Sequence, residues 1–372
     1  MTADHLLASI QESRQTEQWH DWRWQLQNRL QTREDLERVF TLSDSEQRAL
    51  DRLGGKLPLA ITPYYASLCE DRPDDPLRRT MIPVEAEFDI TEGECRDPLG
   101  EEKHSPVPGI VHTYPDKVLF LVTDFCAVYC RYCTRARVVG SGELPPARSI
   151  WKSAIRYIRE TPAIRDVLIS GGDPLTLSDE RLGWLLAELR VIEHVEIIRI
   201  GTKIPFAMPQ RITPELTDIL KRYHPLWFSL HVTHPRELTD EAFQACGRLA
   251  DAGIPLMSQA VLLKGVNDSV DCQRELNQGL LRFRVKPYYL HQCDAIAGSE
   301  HFRTTIETGR EIIRGLHGHT TGYAVPTYMV DAPGGGGKVP LTPDYVESQS
   351  GKEWHLKNYR GDSYSYREGE SS

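Results

Sequence analysis

At 372 residues, 40% hydrophobic and 26% charged, the chain is long enough to bury a large core, as one big domain with appendages or as two of ordinary size. A formal net charge of −9 gives no basic face overall, which argues against a life on nucleic-acid phosphates or anionic lipid and favours a small diffusing substrate. No apolar run reaches the roughly 18 residues of a membrane span, and MTADHLLASIQESRQ lacks the regions of a leader; with eight scattered cysteines reading as reduced thiols plus a metal site, a cytoplasmic protein is expected.

In chain order, the first elements are helical. TEQWHDWRWQLQNRL places Trp19, Trp22, Leu26 and Leu30 at helical spacing, and Ser43 with Glu46 forms a capping box ahead of QRALDRL. Those tryptophans read as core. EFDITEGECRDPLGEEKHSPVPG follows as a connection dominated by proline, glycine and charge. From residue 117 short apolar runs alternate with helical stretches: KVLFLVT, DVLIS, VEIIRIG, LWFSLHV, PLMSQAVLL and VKPYYL, with helices such as SIWKSAIRYIRE, DERLGWLLAELR and TPELTDILKRY between them. Thr213 caps the last of these, with Pro214 at its first position. The alternation predicts parallel strands buried on both faces. About six units fall short of the eight of a closed barrel. The expected fold is therefore α/β, a partial (β/α)6 barrel over residues 108–330, preceded by an N-terminal helical region and loop (1–107) and followed by a C-terminal segment (331–372).

Directly after KVLFLVT comes DFCAVYCRYCTRAR, with Cys126, Cys130 and Cys133 separated by three and two residues. Structural zinc wants four ligands, and the nearest spare thiol in sequence, Cys95, lies in the irregular connection. Zinc stays open on spacing alone. A cubane cluster held by three cysteines would keep one iron free for a ligand. These residues resemble the radical S-adenosylmethionine (SAM) superfamily, in which such a loop follows the first strand of a partial barrel. The resemblance implies a 4Fe-4S cluster on the three cysteines, an open iron that chelates SAM, and reductive cleavage of SAM to a 5'-deoxyadenosyl radical. It further implies SAM contacts at Gly171, Gly172 and Asp173 in SGGDP, after the second run, and at Gln259 in the fifth. Standing alone, the glycine pair would read as an ordinary turn.

Near the C-terminus, VDAPGGGGKVPL sets four glycines before Lys338. A phosphate-binding P-loop fails, because Ala332 and Val339 occupy the positions of its first glycine and its Ser or Thr. The remaining readings are a solvated lysine and one presented to pyridoxal 5'-phosphate (PLP) as a Schiff base.

Together CAVYCRYCTRAR, SGGDP, RITPEL, LLKGVND, YYLHQCD, EHFRT and DAPGGGGKVPL are similar to the lysine 2,3-aminomutase family of PLP-dependent radical SAM enzymes, from about Trp19 to Val346. The resemblance implies that Lys338 carries PLP until substrate replaces it. The radical then removes hydrogen from C3, and the amino group crosses from C2 to C3 through an aziridine-like ring, giving L-β-lysine. Matching positions assign Arg135 to the substrate α-carboxylate through its bidentate fork. They assign Asp294 and Asp331 to the side-chain ammonium, Tyr114 and Lys117 to PLP and its phosphate, and Tyr132 to the adenine. Read singly, Arg135 would serve as a loop ion pair and either aspartate as a cap. Lys117 stands where the family carries arginine and Tyr132 where it carries histidine. Ser269 replaces a cysteine, and NYRGDSYSYREGESS lacks the cysteines of an intersubunit zinc site. No zinc is expected, and a homodimer or higher homo-oligomer is expected without the tetramer being fixed. The implied partners are a small amino acid and an electron donor such as flavodoxin or ferredoxin, with no nucleic acid or membrane. Arginine, ornithine or a protein-bound lysine would also suit two acids; a non-catalytic zinc scaffold would need no Lys338 loop.

Overall fold

The computed structural model describes residues 16–54 and 58–369, so the expectation about a leader in MTADHLLASIQESRQ lies outside the described residues. Nine strands form one sheet in sequential order: β1 (Ile110–Tyr114), β2 (Lys117–Thr123), β3 (Asp166–Gly171), β4 (Ile197–Thr202), β5 (Leu226–His231), β6 (Leu256–Leu262), β7 (Val285–Gln292), β8 (Thr327–Ala332) and β9 (Gly337–Pro340). β2 to β8 are parallel throughout, and β1 and β9 are antiparallel edges. Six helices make the crossovers: α1 (Arg148–Glu160), α2 (Asp179–Arg190), α3 (Pro214–Leu220), α4 (Asp240–Asp251), α5 (Val270–Arg282) and α6 (Ile306–Leu316). This is the expected partial barrel of six β/α units, extended by a seventh parallel strand, β8, which was not among the predicted runs. TYMVDA begins exposed, does not alternate in burial and runs straight into Pro333, so it carries little of the periodic signal of the other strands.

Side-chain alternation divides the sheet into two faces. Val118, Phe120 and Val122 of β2, Val167 and Ile169 of β3, and Ile198 and Ile200 of β4 pack outward against Trp151, Ile155 and Leu186 of the helices. The residues between them, among them Leu119, Leu168, Arg199, Ser229 and Gln259, face a cavity inside the barrel. The core of this molecule is thus the layer between sheet and helices, and the interior is left free for ligands. Thr213 caps α3 with Pro214 at its first position, and Ser43 with Glu46 closes the predicted capping box.

The N-terminal region folds as short helices around Trp19, Leu36, Tyr64 and Tyr65, and its core includes Val128 from the cysteine loop. Arg78, fully buried, donates to Glu46 at 2.8 and 2.9 Å and to Asp71 at 3.0 Å. Residues 346–367 form a separate antiparallel sheet, β10 (Val346–Ser350), β11 (Glu353–Lys357) and β12 (Ser363–Arg367). Among the described residues, no helix is long and apolar enough to cross a membrane.

Candidate active site

The cysteine loop leaves the C-terminal end of β2, where loops of a parallel barrel converge, and it is held from both sides. On one side the N-terminal region binds its backbone: Tyr129 N–H donates to Ala60 O (3.0 Å), Arg131 N–H to Thr80 O (2.9 Å), and Arg29 reaches Cys126 O at 2.7 Å. On the other, SGGDP is pressed against it. Gly171 has φ +125°, and a Cβ there would lie 2.2 Å from Thr123 O; a Cβ on Gly172 would lie 2.3 Å from Phe125 O. Glycine is required here first for close approach of two backbones, a reason the sequence pattern did not reveal. Asp173 N–H continues the contact to Phe125 O at 2.8 Å. The Asp173 carboxylate turns away, accepting from Thr202 Oγ1 (2.7 and 2.9 Å), Lys203 N–H (2.7 Å) and Leu175 N–H (3.1 Å), so it locks the turn to the end of β4. Burial raises it to about 6 against those bonds.

Cys126, Cys130 and Cys133 face a cavity of about 300 Å3 together with Tyr132, Gly171, Gly172, His231 and Gln259. All three are free thiols. Burial pushes each upward, Cys130 to about 11, where the nearby Lys203 ammonium acts against burial. Thiols this desolvated give up their protons to a strongly bound metal group. Among the described residues no three His, Cys, Asp or Glu side chains converge tightly enough for a single ion. Three thiols spread around one cavity suit separate corners of an iron–sulfur cluster.

Tyr132 is buried behind the loop. Its hydroxyl lies 2.7 Å from His231 Nε2, and His231 Nδ1 lies 3.1 Å from Gln259 O. A carbonyl only accepts, so Nδ1 carries the hydrogen and Nε2 accepts from Tyr132. Burial, then the Lys203 charge, holds His231 down at about 3, keeping the ring neutral. Tyr132 packs edge-on against Phe302. Lys203 is itself buried, ion-paired with the fully buried Glu237. His231, Lys203 and Glu237 were not singled out from sequence: each sits in a strand end or turn without a spacing that marks it.

The cavity continues into a chamber of about 560 Å3 within the barrel, bordered by Tyr114, Lys117, Arg199, Tyr289 and Lys338. Lys338 lies on β9, and its N–H donates to Tyr114 Oη on β1 at 2.9 Å, joining the two edges of the open sheet. Its ammonium is held by Asp331 at 2.9 and 2.7 Å. Burial alone would raise Asp331, but His291, 3.4 Å away, and Lys338 outweigh it and bring the carboxyl to about 2. The Lys117 ammonium stands over the Tyr114 ring, 4.1 Å from its centroid. The glycine run is docked, since Gly334 N–H donates to Pro98 O at 2.9 Å and Gly334 leaves no room for a Cβ on Gly100.

Asp294 also lines the cavity and has no ion-pair partner among the described residues. Burial, then the neighbouring Asp331 charge, raises it to about 7. Arg135 lines both spaces, with its fork engaged by the buried Glu101: Nε lies 2.9 Å and Nη2 2.8 Å from Glu101 Oε1. Glu101 comes from the connection read as a linker, where proline and charge masked its role. All predicted site residues thus line one or both of these spaces, Asp173 included, although its carboxylate also ties the turn to β4.

The Radical SAM superfamily model matches residues 120–271, which hold the cysteine loop, SGGDP and Gln259, and the Lysine-2,3-aminomutase model matches residues 313–372. SAM and an iron–sulfur cluster are accordingly the cofactors of this barrel. The L-lysine 2,3-aminomutase of Clostridium subterminale is 52% identical over 352 residues, 94% of this chain and 84% of that one. That of Acetoanaerobium sticklandii is 50% identical, over 93% and 84% of the two chains. The glutamate 2,3-aminomutase of Clostridioides difficile is 43% identical, over 93% and 82%. With such likeness along nearly its whole length, the chain belongs to the lysine 2,3-aminomutase family of radical SAM enzymes.

Proposed function

We propose that the protein is an L-lysine 2,3-aminomutase, which moves the α-amino group of L-lysine from C2 to C3 to give L-β-lysine. The observation that carries this reading is that three cluster thiols, one lysine for PLP and two carboxylates border a single cavity. When bound, the cluster with SAM supplies the radical that removes a substrate hydrogen, and PLP supplies the π-system that carries the migrating nitrogen. Cys126, Cys130 and Cys133 hold the cluster, while Gly171, Gly172, Tyr132 and Gln259 border the space for SAM.

The chamber fits PLP through its own groups. Lys338 offers the amine, Tyr114 fixes the Lys338 backbone, and Lys117 and Arg199 bring positive charge to the same walls, Arg199 paired to Asp166 at 2.8 Å. Arg135 receives the α-carboxylate at one end of the space. Asp331 and Asp294 receive the side-chain ammonium, Asp331 exchanging the Lys338 ammonium for that of the substrate. A cation pairs with those acids, whereas a glutamate side chain would meet like charge. That contrast favours lysine over the activity named for the Clostridioides relative. One electron per activation comes from a carrier such as flavodoxin or ferredoxin, and the working form is a homodimer or higher homo-oligomer.

Anaerobic reconstitution with iron, sulfide, SAM, PLP and reductant, followed by chromatography for β-amino acids from lysine, arginine, ornithine and glutamate, tests the reading. β-Lysine is the expected product. Turnover of glutamate alone overturns it.

A further inference from the structure

His291 lies next to the end of β7, paired in register with Met329 of β8, so it shares a face with Asp331 two residues further along. Its Nδ1 is 3.4 Å from Asp331 Oδ2. Its Nε2 has no hydrogen-bond partner among the described residues, and the ring borders the cavity. Burial drives the imidazole below its ordinary value, which keeps it neutral, with Nδ1–H towards the carboxylate and the Nε2 lone pair left over. Around the ring stand Asp331 from β8, Lys338 from β9, Tyr289 from its own strand and, further off, His231 from β5.

Among the described residues Asp331 has two partners, Lys338 and His291. Lys338 cannot hold Asp331 and carry the cofactor at once. With the cofactor on Lys338 that ammonium contact would be lost, and a carboxylate with a side chain only 15% exposed would be left to its burial. Burial without a partner favours the neutral acid, which attracts no cation. From this geometry we infer that His291 is a specificity-determining residue: it keeps Asp331 ionised and aimed after Lys338 withdraws, and it offers Nε2 as a further acceptor for the side-chain ammonium of a diamino acid substrate. The inference rests on the lysine reading above. It adds a third, uncharged group to a receptor otherwise made of two acids that repel each other.

The test is calorimetric lysine binding to cluster- and PLP-loaded protein without reductant, alongside kcat and KM with reductant. His291→Phe, which removes the donor, is expected to weaken lysine binding and raise KM about tenfold, with kcat changed less than about threefold and the PLP absorbance band retained. His291→Asn, which keeps a donor, is expected to recover most of the affinity. If the phenylalanine variant does not fold, His291→Met, whose flexible side chain adapts to the space, supplies the same comparison. A non-donor variant that binds lysine within about twofold of the parent overturns the assignment and leaves the lysine reading standing. A parent protein that does not bind lysine overturns both.

Discussion

The two oxygens of Asp331 lie 2.9 and 2.7 Å from Nζ of Lys338, so the lysine assigned to the cofactor and the acid assigned to the substrate neutralise each other. That pairing explains how an anion can be kept inside the barrel before any ligand arrives, since an unpaired buried carboxylate is costly. It also makes Asp331 a measured counterpart for one ammonium at a time. Asp331→Asn keeps the shape and removes the charge. It is expected to raise KM for lysine about thirtyfold or more, the scale of the roughly 2 kcal/mol or more lost with one partner of a buried charge pair. The PLP absorbance band, formed by Lys338, is expected to persist. Loss of the band with unchanged lysine affinity would contradict the division of roles.

Asp294 gives a pH signature. Burial first, and then Asp331, raise its carboxyl from 3.8 to about 7. The folded protein therefore holds a proton there that the unfolded chain releases, so this group's contribution to stability falls as pH rises from about 4 to about 7. Ammonium binding needs the ionised form and runs the other way. Lysine affinity is expected to fall as pH drops from 8 through 7 to 6, and Asp294→Asn is expected to flatten that profile at a lower affinity. Titration calorimetry at the three pH values checks it.

Gly172→Ala separates cluster assembly from folding. The added Cβ would lie 2.3 Å from Phe125 O and 2.7 Å from Phe125 N, and both are backbone atoms of the cysteine loop that cannot move aside cheaply. The expected result is a folded protein with near-parent far-UV circular dichroism whose reconstituted iron falls well below the about four per chain of a cubane. Full iron loading would show that the close approach is not needed.

The barrel was legible because parallel strands and amphipathic crossovers each leave a periodic signal, and the cysteine loop because three thiols at fixed spacing are rare by chance. β8 was not, lacking that period, although it carries Asp331. Glu101, His231, Lys203 and His291 were invisible for a different reason. Each acts on a partner distant in the chain, as Glu101 does on Arg135, 34 positions away. Such pairs are set by how strands and loops are brought together, and no local pattern announces them. The glycines of SGGDP were found, but their tight packing on the cysteine loop appears only in three dimensions.

The N-terminal region binds the backbone of the cysteine loop, and it holds a fully buried ion pair at Arg78. With Arg78 fully buried and its fork divided between Glu46 and Asp71, Glu46→Ala leaves a guanidinium without its main counter-charge. Removing one partner of a buried pair costs about 3 to 5 kcal/mol. Because the same region binds the cysteine loop through Ala60, Thr80 and Arg29, the melting temperature and the iron content are expected to fall together. Iron content unaffected by a large thermal loss would show that the two layers are independent.

Arg135 is the last group to separate from its neighbours, because its fork is already engaged by Glu101. Two roles fit such an arginine: a strut whose partner is Glu101, or a receptor that Glu101 merely aims. Arg135→Lys preserves the charge beside Glu101, so a strut survives it, whereas two parallel hydrogen bonds to a planar carboxylate need the guanidinium. If Arg135 receives the α-carboxylate, KM for lysine is expected to rise about tenfold or more while the melting temperature changes little, the split of a lost binding contact. A strut would instead leave both nearly as they were. Binding of β-lysine sharpens the distinction, since substrate and product share the carboxylate and the side-chain ammonium and differ in the position of one nitrogen. A receptor for the carboxylate must weaken towards both by a similar factor.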